Sequence, residues 1–79
     1  MRGLYKLNGA ANTAQARRDY AWLLNLAAQH DAEDLIPSAG ETPTMRAFDR
    51  AAKTGIEALL KAKPELREKI AEIYPGFVS

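Results

Sequence analysis

Residues 12–31, NTAQARRDYAWLLNLAAQHD, decide how this chain folds. Alanine and leucine dominate the stretch and neither glycine nor proline interrupts it, so it reads as a helix. At about 100° per residue, Ala16, Tyr20, Leu23, Leu24 and Ala27 line one face. Trp22 and Leu26 fall on the far flank of that face. A surface helix needs an apolar stripe only slightly wider than about 100°, and this one covers roughly twice that. Something has to cover Trp22 and Leu26: the N-terminal segment, another helix, or a second copy of the chain.

The helix has a start and a polar side. Asn12 is the expected N-cap, and Gln15 three residues on gives a capping-box-like arrangement. The expected span is 12–30, with Arg18, Asn25 and Gln29 on its polar side. Upstream, residues 1–11 form an arm that Asn8-Gly9 closes with a turn signal. Two readings of the arm stay open: a tail packing Leu4 and Leu7 over the domain, or an exchange arm docking on a neighbouring subunit.

Downstream, Asp31 is expected to cap a single helical turn over 31–36, which Pro37 ends. Ser38 to Glu41 is loop. A second helix is expected over 42–62, with Thr42 as N-cap and Pro43 at the first helical position. Met45, Phe48, Ala52, Ile56, Leu59 and Leu60 recur on one face. Ala47, Ala51, Ala58 and Ala62 run beside it, with Gly55 at the junction. A mid-helix glycine costs about 1 kcal/mol relative to alanine, which a close approach by another backbone would offset; a mild bend is the alternative.

Pro64 breaks that helix and starts a third, expected over 64–74, with Leu66, Ile70, Ile73 and Tyr74 as its stripe. Pro75-Gly76 stops it, leaving a tail over 75–79 whose Phe77 and Val78 fold back. The fold class is all-α: a single domain over 1–79, with three main helices and one short helical turn. The expected core is Leu23, Leu24, Phe48, Ile56, Leu59, Leu66 and Ile70.

Composition narrows the function. The chain has 79 residues, enough for one small core, and its 15 alanines leave 22 larger apolar or aromatic residues to build it. Net charge is +1, from 11 basic and 10 acidic residues, so no strong overall field draws the chain to nucleic acid or to an anionic membrane. With no cysteine, disulfides and zinc-thiolate sites are excluded. No apolar run approaches the roughly 20 residues that span a bilayer, so the expectation is a cytoplasmic protein with no membrane partner.

Catalytic chemistry finds little support. Asp49 stands four before Lys53, Glu57 four before Lys61 and Glu65 four before Lys69, the spacing of solvated helix pairs. The lone histidine, His30, has Asp31, Glu33 and Asp34 nearby, but it sits near a helix C-terminus and the acids sit at capping positions. No glycine-rich phosphate loop is present. The expectation is therefore no enzyme, no cofactor and no metal. A protein partner or self-association fits the surplus apolar surface, with Arg17, Arg18, Tyr20, Trp22 and Leu26 as the anchor set, since aromatic residues and arginine dominate interface hot spots. That reading is a small inhibitor or adaptor, of a kind common in bacteria and phage, that occludes or bridges a larger partner. The alternative is a nucleic-acid-binding regulator using Arg46, Arg50 and Lys53 on one side of the second helix, a face interrupted by Asp49 and Glu57.

Overall fold

A computed structural model describes residues 13–41 and 43–78. The expected arm over 1–11, the Asn12 cap, Thr42 and Ser79 lie outside the described residues. Three α-helices carry the fold: α1 (Thr13–Gln29), α2 (Met45–Ala62) and α3 (Arg67–Ile73). Single 3₁₀ turns stand between α1 and α2 (Glu33–Leu35), before α3 (Pro64–Leu66) and after it (Pro75–Phe77). The protein is all-α, and among the described residues there is no strand. The Cα body measures 33 × 29 × 15 Å. Its short axis is the thickness of two packed helix backbones.

α1 ends in a Schellman motif. The Ala32 N–H donates to the Ala27 carbonyl at 2.8 Å and the Asp31 N–H to the Ala28 carbonyl at 3.1 Å. The motif needs a left-handed residue between them, and Asp31 supplies it with φ 56°. Asp31 therefore closes α1 instead of capping the next turn, as the sequence suggested. That turn has Ala32 at its N-cap and no side-chain cap at all. A non-glycine residue there costs about 1 kcal/mol, and aspartate is among the few that tolerate it.

α2 begins later than the expected 42–62. Its N-cap is Thr44, whose hydroxyl accepts from the Ala47 N–H at 3.1 Å. Pro43 consequently precedes the helix instead of opening it. Of the two threonines flanking Pro43, the second has its hydroxyl three residues before a free N–H, which satisfies an orphan donor. The third helical segment starts with Pro64, but as a 3₁₀ turn that becomes α-helical only at Arg67. Its end at Tyr74–Pro75 follows from the missing proline N–H.

The largest fully buried side chains are Tyr74, Leu23, Ile56, Leu59 and Ile70. Phe48 and Leu66 are buried as expected, whereas Leu24 is half-buried at the core's margin. Phe77 and Val78 fold back against the core, and the Phe77 ring stacks on Tyr74 with centroids 5.2 Å apart. A smaller cluster joins Ala16 and Phe48 near the start of α1 and α2, with Tyr20, Ala39 and Met45 against it.

Gly55 faces the connector, not a third helix. A Cβ built there would stand 2.6 Å from Ile36 Cδ1 and 3.3 Å from both Ile36 Cα and Cγ2. The backbone after the Glu33–Leu35 turn thus lies directly on α2 at the one residue with no side chain. Gly55→Ala gains about 1 kcal/mol of helix propensity but overpacks against Ile36 for about 1–3 kcal/mol. We expect net destabilisation in urea unfolding. Combining it with Ile36→Val, which deletes Cδ1, should cost less than the two single changes added together. Strict additivity would show that the two residues do not meet.

Candidate functional site

The expected anchor set does not stay together on the surface. Leu26 is only 5% exposed and belongs to the main core cluster, so it serves the monomer's interior and is not a surface anchor. The helix buries a stripe wider than usual because α1 meets both α2 and the connector. Arg17 and Arg18 are exposed on the first turns of α1.

Tyr20 is also committed internally. Its hydroxyl donates to the Pro37 carbonyl at 2.5 Å, tying α1 to the connector. Its ring lies against Phe48 at a centroid distance of 5.4 Å and an interplanar angle of 51°. Burial pushes the Tyr20 phenol above its ordinary value, while the Ala39 backbone acts the other way.

Trp22 remains. It is half-buried, touching the core on one side, and it lines an open groove of about 300 Å³. Leu26 lines it as well, together with Asn25 and Gln29 of α1 and Lys69 and Glu72 of α3. Asn25, Gln29, Lys69 and Glu72 are all exposed. On α1, positions 22, 25, 26 and 29 follow the one-face spacing of a helix. Neither Lys69 nor Glu72 was singled out by the sequence, because nothing local says which exposed residues of α3 come to rest beside α1. The folded-back tail does not roof Trp22 by ring stacking; Phe77 stacks on Tyr74 instead.

Arg46, Arg50 and Lys53 are exposed along one side of α2, and Asp49 beside them is half-buried. A shallower depression of about 270 Å³ adjoins this face, lined by Pro37, Ser38 and Ala39 of the connector and Ala47, Arg50, Ala51 and Thr54 of α2. Among the described residues no three His, Cys, Asp or Glu side chains gather as a metal site. His30 lies just beyond the end of α1. No helix of the described residues is long and apolar enough to cross a membrane.

Two further titratable groups lie inward. Burial raises the Asp19 carboxyl above its usual range, and the neighbouring Arg18 charge partly offsets this. Tyr74 is 2% exposed, and burial pushes its phenol well above the ordinary range. The charges of Asp19 and Asp49 and the Tyr20 phenol raise it further. None of these groups lines the groove, whose charged side chains are Lys69 and Glu72.

The chain matches no protein-family model, and no curated protein and no solved structure matches it.

The Tyr74 environment gives a pH prediction. Unfolded tyrosine ionises near 10.0, whereas the folded chain holds the Tyr74 proton to higher pH. Above that unfolded value the unfolded state binds fewer protons, so stability falls as pH rises, by up to about 1.4 kcal/mol per pH unit for one such group. Urea unfolding between about pH 9 and about pH 11 should therefore show a steeper loss in the wild type than in Tyr74→Phe. Equal slopes would contradict the burial assigned to that phenol.

Proposed function

We propose that this chain is a small, non-enzymatic protein-binding module that uses the α1–α3 groove around Trp22, in the manner of an inhibitor or adaptor that occludes or bridges a larger partner. One observation carries the reading: Trp22, the chain's single tryptophan, stays half-buried in an open groove that Leu26 and four exposed polar side chains also line. Protein interfaces have that anatomy, with an aromatic anchor near the centre and polar groups around it. A cytoplasmic setting and a bacterial or phage origin accompany the reading as expectations. Homo-oligomerisation is compatible with it.

Trp22→Ala tests it. Since Trp22 is half-buried, the substitution should cost less than the about 3–5 kcal/mol of a fully buried aromatic, and circular dichroism should stay helical. Affinity capture with the immobilised wild-type chain should retain a protein, or a second copy, that the variant loses. Identical retention by both forms would remove the groove from the account.

A second reading rests on Arg46, Arg50 and Lys53, which stand exposed on one side of α2. They suit a regulator that contacts nucleic-acid phosphates. On a polyanion column this reading expects retention at physiological salt that falls steeply as salt rises; flow-through would sink it.

A further inference from the structure

We propose that the depression between the connector and α2 docks an acidic segment of a partner protein, with one apolar side chain seated over Ala39, Ala47 and Ala51 and a neighbouring carboxylate paired with Arg50. This surface is separate from the Trp22 groove, since no residue lines both. Both of its walls are held in place. On α2, positions 47, 50, 51 and 54 fall on one face at helical spacing. The connector is fixed beside them by the Ile36 contact at Gly55 and by the Tyr20 bond to the Pro37 carbonyl. Walls already ordered before binding lower its entropic cost.

Charge selects the occupant. Among the described residues Arg50 is the one charged side chain in the lining, and Arg46 and Lys53 stand exposed about one helical turn to either side. The two acids that interrupt this face in the sequence do not line the depression. Asp49 is half-buried and its charge acts on the interior phenol of Tyr74, while Glu57 lies beyond Thr54. A cation beside small apolar side chains suits a carboxylate next to an aliphatic group. The Ser38 hydroxyl accepts from the Gly40 N–H at 3.1 Å and keeps its own proton to donate to a peptide carbonyl. The lining offers no aromatic face on which a base could stack, which favours a peptide over single-stranded nucleic acid. Residues 1–12 of the chain itself carry Arg2 and Lys6 and no acid, so charge opposes their seating there.

The experiment is selection of a random peptide library on the immobilised chain, followed by titration of the most enriched peptide, in soluble form, into isotope-labelled protein. Enriched peptides should carry acids flanking an apolar residue, and the amide shifts should centre on Ala39, Ala47, Ala51 and Thr54. Arg50→Glu should weaken the peptide at least about tenfold. Lys61→Glu makes the same charge change about 16 Å further along the helix, beyond the roughly 8 Å Debye length at physiological salt, and should change affinity less than about twofold. Both positions are exposed, and circular dichroism verifies that each variant is folded. A library that yields no enrichment or no acidic bias, or equal losses from the two variants, overturns the proposal. Shifts centred on Trp22, Asn25 and Gln29 overturn it too, while leaving the groove reading standing. A thymidine oligonucleotide that produces the same shifts at lower concentration than the peptide overturns it in favour of the nucleic-acid reading.

Discussion

The seating of Ile36 on Gly55 is the contact on which the arrangement depends. The segment between α1 and α2 must reverse direction in few residues, and it does so by lying flat on α2. It can lie flat only because position 55 has no Cβ: an atom there would approach Ile36 Cδ1 to 2.6 Å. With the connector fixed at that point, the Pro37 carbonyl comes within reach of the Tyr20 hydroxyl. α1 is thereby held at two places, by the Schellman motif at its C-terminus and by Tyr20 in its first half. The helix propensity lost at Gly55 is offset by the packing its absent side chain permits.

This division of labour among the large side chains defines the surface. Tyr20 is spent on the connector and Phe48, and Tyr74 is buried with Phe77 stacked over it. Leu26 is drawn into the core with Leu23 and Ile70. Trp22, one helical turn before Leu26 on the same flank of α1, stays half-buried where residues of α1 and α3 line an open groove. α3 has only seven residues, so it covers a limited length of α1. An exposed tryptophan face is costly to leave in water. That cost is what the proposed docking would relieve.

Much of the architecture could be read from residue spacing. The apolar period of α2, the break at Pro64 and the stop at Pro75 are local signals, and the folded chain follows them. What residue type alone did not carry was which backbone group or packed element each side chain would meet. Asp31 suits both an N-cap and a left-handed C-terminal position, and only the carbonyls of Ala27 and Ala28 decide between them. The threonines at 42 and 44 both suit an N-cap, and the choice falls on the one whose hydroxyl meets the Ala47 N–H. Leu26 was assigned to an interface because a helix packed on a single side would leave it out; here several elements pack around α1. The groove itself was half legible: Trp22 was named from the sequence, but Lys69 and Glu72 came from the tertiary fold alone.

The central claim is that Trp22 of the isolated chain is partly open to solvent while the remaining large aromatic side chains of the core are committed inside. Acrylamide quenching of the single tryptophan, in protein dilute enough to be monomeric, tests this most directly. The structure predicts quenching clearly above that of a core indole and below that of the unfolded chain in urea. A blue-shifted emission that acrylamide does not reach in the dilute monomer would place Trp22 inside the fold and contradict the account.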